Sequence, residues 1–70
     1  MNEMSIHVNG ESRRTGADNL DRLLDELGFE TPRQGIAVAL NGCIVPRGAW
    51  SEQSLDEGDR VEVVGAVQGG

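Results

Sequence analysis

The chain has 70 residues and a net charge of −6, and all six of its positively charged residues are arginines. This length predicts one domain with a small core, and it leaves too little polypeptide to enclose a deep substrate cleft. The acidic charge argues against nucleic acid as a partner, because phosphate groups would be repelled, and it favours a protein partner with a basic face.

Cysteine usage and hydropathy exclude several further classes. Cys43 is the only cysteine, so an internal disulfide and a cysteine-based metal centre are excluded, and we expect no bound metal. No apolar run approaches the ~20 residues of a membrane-spanning helix, and no signal peptide is recognisable. We therefore expect a cytoplasmic protein that has no membrane partner.

The first predicted elements are two short strands joined by a tight turn. Met4–Val8 alternates apolar and polar residues, which is typical of a half-buried strand. Asn9 and Gly10 follow, and this pair favours the positive backbone angles of a two-residue hairpin turn. The polar segment Glu11–Thr15 is the predicted returning strand at a sheet edge, where its arginines discourage pairing with another chain.

An amphipathic helix is predicted after this hairpin. Asp18 is the expected N-cap, because its carboxylate can accept from the first free N–H groups, and Gly28 is the expected left-handed C-cap. Phe29 can then fold back onto the apolar stripe of the helix. That stripe consists of four leucines at helical spacing, Leu20, Leu23, Leu24 and Leu27.

A second hairpin is predicted in the next part of the chain. Ile36–Leu40 is apolar throughout, as expected of a strand that is covered on at least one face. Asn41 and Gly42 predict another tight turn, and Cys43–Val45 is the returning strand. Pro46 ends the pairing, because proline cannot donate to a sheet ladder.

The last predicted element is a strand over residues 60–64, with Val61 and Val63 pointing inward. Residues 47–54 are expected to be irregular. Residues 56–59 are expected to form a turn whose acidic side chains lack the ligand spacing of a calcium loop. One helix must bury its leucines against one sheet, so these elements predict an α+β fold of four or five strands with a single helix across them.

Several short motifs follow one another in a characteristic order, and the last of them ends on two glycines. They are Val8-Asn9-Gly10, Leu20-x-x-Leu23-Leu24-x-x-Leu27-Gly28, Ile36-Ala37-Val38-Ala39-Leu40-Asn41-Gly42, Val45-Pro46-Arg47-x-x-Trp50, Glu57-Gly58-Asp59-Arg60-Val61-Glu62-Val63-Val64 and Ala66-Val67-Gln68-Gly69-Gly70. In this order they resemble the ubiquitin-like β-grasp sulfur carriers, and most closely the ThiS family. Two departures are Asn19, where the family often has Thr or Ser, and Gly65, where a side chain is usual.

The resemblance implies a particular fold and a division of the chain. The implied fold is a mixed β-grasp sheet with its first and last strands parallel at the centre. Residues 1–65 would form the domain, and residues 66–70 would form a flexible tail. Because glycine has no Cβ, two glycines let the backbone enter another protein's active site closely, and residues 65–70 reach at most ~20 Å when extended.

The resemblance also implies the chemistry of the tail and its partners. A ThiF-like enzyme that holds ATP and magnesium would adenylate Gly70, and a cysteine desulfurase would supply the sulfur of a thiocarboxylate. A ThiG-like thiazole synthase would receive that sulfur for thiazole formation in thiamine biosynthesis. The chain would be a protein co-substrate with no catalytic residue or cofactor of its own, and a monomer when free. The residues expected to be recognised in the tail are Ala66, Val67, Gln68 and Gly69.

Other functions of a Gly-Gly tail stay open at the level of sequence. A carrier for molybdopterin or cysteine synthesis would use the same tail chemistry, although molybdopterin carriers tend to have a proline near the tail that Val67 and Gln68 do not supply. A ubiquitin-like modifier would be conjugated to lysines of other proteins. A plain interaction module would have no use for a glycine end.

Four side chains elsewhere invite a functional interpretation beside a structural one. Trp50 can cover the core or, together with Arg47, contact a partner, since Trp is enriched at binding hot spots. Cys43 can relay a persulfide or pack as a small residue beside a turn, and no adjacent His or Lys favours its thiolate. His7 can be interpreted as a general base, but it is expected to be a surface side chain, because no carboxylate or nucleophile pattern accompanies it.

Overall fold

The structure, a computed structural model, describes residues 3–29 and 35–65. Within these residues five strands form one sheet, and one α-helix and one 3₁₀ helix accompany it. The elements are β1 (Met4–Val8), β2 (Glu11–Thr15), α1 (Leu20–Leu27), β3 (Ile36–Leu40), β4 (Cys43–Val45), the 3₁₀ helix (Arg47–Glu52) and β5 (Arg60–Gly65). Every predicted strand and the predicted helix are therefore confirmed, and β5 extends one residue further than predicted.

The strand that comes last in the sequence lies in the middle of the sheet. The spatial order is β2-β1-β5-β3-β4. β5 runs parallel to β1, through the pairs His7–Arg60 and Val8–Val61, and antiparallel to β3. This confirms the mixed sheet with parallel first and last strands that the family resemblance implies.

Both hairpin turns have the backbone that their sequences predict. Asn9 and Gly10 have φ values of 53° and 86°, and Asn41 and Gly42 have φ values of 52° and 87°. Two consecutive positive φ angles define a type I′ turn, which matches the twist of the strands on either side. The predicted Asn-Gly turns are therefore confirmed at both positions.

The start of the helix differs from the prediction by one residue. Asn19, not Asp18, is the N-cap: its backbone is extended and its Oδ1 accepts from the Arg22 N–H at 2.8 Å. The physical reason is tertiary, because the Asp18 carbonyl accepts from the Leu55 N–H at 3.1 Å and so holds that residue outside the helix. Gly28 has a φ of 93° and ends the helix as predicted.

The apolar stripe of the helix packs on one face of the sheet. Leu20, Leu23 and Leu24 are fully buried, while Leu27 and Phe29 lie against the edge of the same cluster. The strand residues that complete this core are Ile6, Val38, Val45, Val61 and Val63. The inward orientation of Val61 and Val63 is thus confirmed, and the alternation along each strand leaves the opposite face of the sheet open.

A buried hydroxyl fastens the β2–α1 connection to the helix. Thr15 Oγ1 donates to Glu26 Oε1 at 2.6 Å and accepts from the Ala17 N–H at 2.9 Å. The other oxygen of Glu26 accepts from the Gly16 N–H at 3.2 Å. One carboxylate on the helix therefore satisfies two donors of the connection and fixes how α1 leaves the sheet.

The prediction of an irregular segment over residues 47–54 was wrong in its first part. Residues Arg47–Glu52 form a 3₁₀ helix that begins after Pro46, whose carbonyl accepts from the Ala49 N–H at 2.8 Å. Such a short helix has no hydrophobic repeat long enough to be recognised in a sequence. The helices within residues 3–29 and 35–65 are too short and too polar to traverse a bilayer.

Truncation of a core leucine tests this packing. Leu24→Ala should lower the free energy of unfolding by about 2–5 kcal/mol, because it leaves a cavity in a small core. Urea unfolding followed by circular dichroism measures the change. The matched control Val64→Ala removes an exposed aliphatic side chain and should change stability by less than about 1 kcal/mol. Equal unfolding midpoints for Leu24→Ala and wild type would show that the stripe does not pack on the sheet.

Candidate functional site

The candidate site lies at the end of β5, from which residues 66–70 continue. The predicted tail residues fall outside the described part of the chain, so their expected roles stay predictions; they are Ala66, Val67, Gln68, Gly69 and Gly70. What the structure describes is the base from which they leave. On one side of β5, Val64 and Gly65 pair with Ala37 and Ile36 of β3.

On the side that faces β1, the end of β5 is hydrogen-bonded to a side chain and not to a strand. β1 ends at Val8, and the hairpin turn then carries the chain away into β2. The carboxamide of Asn9 lies beside β5 instead: its Oδ1 accepts from the Val63 N–H at 2.9 Å, and its Nδ2 donates to the Val63 carbonyl at 3.3 Å. The sequence predicted Asn9 only as a turn residue, since a contact across 54 positions leaves no local signal.

An apolar patch lies beside the base of the tail on the open face of the sheet. We call it the open-face patch; it consists of Ala37, Ala39, Ile44 and Val64. Ala39 pairs with Ile44 and Ala37 with Val64, so all four side chains project from the same face, opposite the buried Val38. Ile44 is 71% exposed and Val64 is 61% exposed. Ile44 and Val64 lie on either side of β3, with Ala39 and Ala37 between them. Exposed aliphatic side chains grouped on one face of a sheet are typical of a contact surface.

The two residues proposed for partner contact differ in their exposure to solvent. Trp50 is only 3% exposed, and its Nε1–H donates to the Val45 carbonyl at 2.8 Å. Its interpretation as core cover is therefore confirmed, and its alternative role as a partner anchor was wrong, because the indole has no free surface to offer. Arg47 is exposed at the start of the 3₁₀ helix, where its partner contact stays a prediction.

The remaining singled-out side chains lie apart from the tail base or serve the fold. Cys43 lies on β4 beside the turn, as predicted, but it is exposed rather than packed. His7 is exposed on β1, as predicted. The acidic turn is also confirmed: Asp59 Oδ2 accepts from the Asp56 N–H at 2.8 Å, and Glu57 Oε1 accepts from the Ser5 N–H at 3.1 Å. Over residues 3–29 and 35–65, no group of three metal-binding side chains is found.

Comparison with known proteins identifies the family of this fold. The family model described as the ThiS family matches residues 6–70. The chain belongs to the ThiS family. Sulfur carrier protein ThiS of Thermus thermophilus is 39% identical over 70 residues, which cover 93% of this chain and 98% of that protein. The crystal structure of the thiamine biosynthesis protein ThiS from Geobacter metallireducens has a TM-score of 0.78 at 31% identity, covering 96% of this chain and 100% of that one.

Two further relatives of this chain are much longer proteins. Thiazole synthases of Paramagnetospirillum magneticum and Magnetococcus marinus are 34% and 40% identical to it over 68 residues. The match covers 96% of this chain but only 20% of the length of either thiazole synthase. The chain therefore spans about a fifth of the length of those relatives.

Membership in the ThiS family agrees with the fold that the structure shows. The five-stranded mixed sheet with one helix is a ubiquitin-like β-grasp fold, as predicted. The Thermus thermophilus relative, which this chain matches over nearly its full length, is named a sulfur carrier protein.

Substitution of the buried tryptophan tests its assignment to the core. Trp50→Phe should lower the free energy of unfolding by about 1–3 kcal/mol, because it leaves the Val45 carbonyl without its buried donor. Thermal unfolding measures this loss. Ser51→Ala, at the exposed neighbouring position of the same 3₁₀ helix, is the control and should leave the melting temperature unchanged. A Trp50→Phe protein as stable as the control would contradict the assignment.

Proposed function

We propose that the chain delivers sulfur through Gly70, whose carboxylate is adenylated, converted to a thiocarboxylate and presented to a thiazole synthase. The observation that carries this proposal is the ThiS-family match, which continues through residue 70 and so includes the Gly-Gly tail. The position of the tail after the central strand β5 supports it, because the folded domain then offers the tail from a fixed base.

The proposed chemistry has two steps, the first at the α-phosphorus of ATP and the second at the carbonyl carbon of Gly70. A carboxylate is a poor acyl donor, so a carboxylate oxygen of Gly70 first attacks the α-phosphorus of ATP and expels pyrophosphate. A sulfur nucleophile then attacks the acyl adenylate and expels AMP. When the sulfur arrives as a persulfide, the product is an acyl disulfide, and a second thiol must cleave its S–S bond to release the thiocarboxylate.

The proposal assigns the catalytic parts to partner proteins. A ThiF-like enzyme holds ATP and magnesium and carries out adenylation, while a cysteine desulfurase supplies sulfur in the cytoplasm. Gly69 and Gly70 lack a Cβ, so the backbone can approach the bound nucleotide closely. The carrier contributes recognition and placement, and placement alone accounts for large rate factors when two reacting groups must meet.

The thiazole synthase relatives support the proposed receiver of the sulfur. Nearly the whole of this chain is similar to a segment that makes up a fifth of each of those proteins. A carrier-like segment within a protein named thiazole synthase suggests that the two activities operate together. We therefore propose a ThiG-like thiazole synthase as the acceptor, rather than an enzyme of a molybdopterin or cysteine pathway.

The open-face patch supplies a docking surface for the adenylating enzyme in this proposal. Residues 66–70 span at most ~18 Å when extended, so the active site that receives Gly70 must lie within that distance of Gly65. The surface around that active site must therefore approach the end of β5, where Val64 belongs to the patch. Burial of Ile44 and Val64 against the enzyme would remove apolar surface from water at the place where the tail enters.

The wild-type chain provides the first test of this function. Incubation with a ThiF-like enzyme, ATP and magnesium should release pyrophosphate, and addition of a sulfur donor should exchange one oxygen for sulfur at Gly70 in an intact-mass spectrum. Isopeptide adducts on lysines of other proteins would instead identify a modifier. An unchanged C-terminus together with a stable complex would identify an interaction module.

Extension of the tail tests whether Gly70 is the reaction centre. One alanine added after Gly70 should abolish pyrophosphate release, because it moves the carboxylate by up to ~3.6 Å and adds a Cβ in a site shaped for glycine. Gly69→Ala should retain binding but lower the rate. Both changes lie outside every predicted strand and helix, so the melting temperature should stay constant. An extended chain that is adenylated at the wild-type rate would refute the carrier function.

Polar substitution in the patch tests the docking surface. Ile44→Ser should raise KM for the adenylating enzyme by about 5- to 30-fold, equivalent to about 1–2 kcal/mol of lost apolar contact, with kcat unchanged. Cys43→Ser is the matched control on the same strand, and it should leave both constants and thiocarboxylate formation unchanged. Equal KM values for the two variants would exclude the patch from the interface. Loss of thiocarboxylate in Cys43→Ser would instead indicate a persulfide relay.

A further inference from the structure

The pairing between β1 and β5 stops before β5 does. Among the described residues, β1 contacts β5 through His7–Arg60 and Val8–Val61, and the Asn9 N–H then donates to the Val61 carbonyl at 2.9 Å. In a parallel ladder the next bonds would join the Val63 N–H to the carbonyl of residue 9 and the Val63 carbonyl to the N–H of residue 11. By residue 11 the chain belongs to β2, where Glu11 pairs with Val8.

The side chain of Asn9 supplies the two missing bonds. Its carboxamide has the same donor and acceptor groups as a peptide unit, and both are bound to Val63, at 2.9 Å and 3.3 Å. The ladder on the β1 side of β5 is thereby extended to Val63 without any strand. The turn conformation makes this possible, because φ of 53° at Asn9 turns the main chain away while the side chain stays beside β5.

The second Asn-Gly turn binds β5 at its opposite end. Asn41 has nearly the same φ, 52°, and its Oδ1 accepts from the Arg60 N–H at 2.9 Å. Its Nδ2 donates to Asp59 Oδ1 at 3.0 Å. Asn41 therefore fixes the first residue of β5, whereas Asn9 fixes a residue near its last.

We infer that Asn9 is a positioning residue for Gly70: its carboxamide holds β5 at Val63 and so sets where and in which direction the tail leaves the domain. The inference rests on the proposed function of Gly70. Without this carboxamide, Val63 and the two residues after it would be held by β3 alone. A segment whose base is held less firmly places its end less often in a given site. The loss should therefore appear in the rate of adenylation more than in docking of the domain.

Removal of the two carboxamides in separate variants tests the inference. Asn9→Gly and Asn41→Gly both keep a residue that accepts positive φ, so both type I′ turns are preserved. Asn9→Gly should lower kcat for adenylation by about 3- to 10-fold with KM nearly unchanged, as expected for poorer placement of the reacting group. Asn41→Gly should leave kcat at the wild-type value, because the strand end that it releases is remote from the tail.

Amide hydrogen exchange in the free protein gives a readout that is independent of the enzyme. The Val63 amide should exchange at least about tenfold faster in Asn9→Gly, and the Arg60 amide should respond only to Asn41→Gly. Asn9→Asp keeps the turn and the acceptor but loses the donor to the Val63 carbonyl, so its kcat should fall between those of wild type and Asn9→Gly. It also provides the test if Asn9→Gly does not fold.

The outcomes separate this inference from the function on which it rests. If wild type is adenylated and the Asn9 variants have the kcat of Asn41→Gly, the positioning role is refuted while the carrier function stands. If the Val63 amide exchanges equally in Asn9→Gly and wild type, the carboxamide does not hold β5 and the inference also fails. If wild type itself is not adenylated, the proposed function fails and the inference falls with it.

Discussion

The parallel contact between β1 and β5 is the interaction on which the rest of this structure depends. It joins the first hairpin, β1–β2, to the second, β3–β4, because β5 is the strand that pairs with both. Val61 and Val63 of β5 then face the buried leucines of α1 from the centre of the sheet. Two parallel strands require a long crossover between them, and α1 with the second hairpin supplies that connection. The small core therefore closes only when β5 pairs with β1.

Backbone hydrogen bonds hold the start of β5, whereas β3 and a side chain together hold its end. Near its start, the Gly58 N–H donates to the Ser5 carbonyl at 2.7 Å and the His7 N–H donates to the Asp59 carbonyl at 2.9 Å. Near its end, β3 holds one side, and the carboxamide of Asn9 holds the other at Val63. The strand is thus held on both sides of the sheet as far as Val63, close to the point where the proposed tail begins.

Local patterns predicted the elements, whereas contacts between distant residues decided the details. The leucine spacing and both Asn-Gly pairs indicated the helix and the turns correctly, since these depend on neighbouring residues alone. Asp18 and Asn19 are both good capping residues, and long-range contacts, such as the bond from the Leu55 N–H to the Asp18 carbonyl, decide between them. Likewise, Trp50 lies close to Arg47 in the sequence and suggests a contact surface. The hydrogen bond from its N–H to the Val45 carbonyl instead shows that it belongs to the core.

The sequence predicted the family and the tail, but it did not predict the contacts around the base of the tail. The Gly-Gly end and the order of motifs led to the family, and the family implied the strand order that spacing alone did not provide. The open-face patch follows from the alternation of Ile44 and Val64 only once the register with β3 is known. The bond between Asn9 and Val63 connects residues 54 positions apart, so no reading of neighbouring residues reveals it.

The central position of β5 also has a consequence for how the protein is made. A ribosome synthesises this strand after the other elements that the structure describes, so until residues 60–65 emerge, the two hairpins have no common neighbour and the leucines of α1 lack Val61 and Val63. A chain that stops before residue 60 lacks both the tail and the strand that joins the two hairpins. We expect such a chain to stay unfolded and to be removed by cellular proteases.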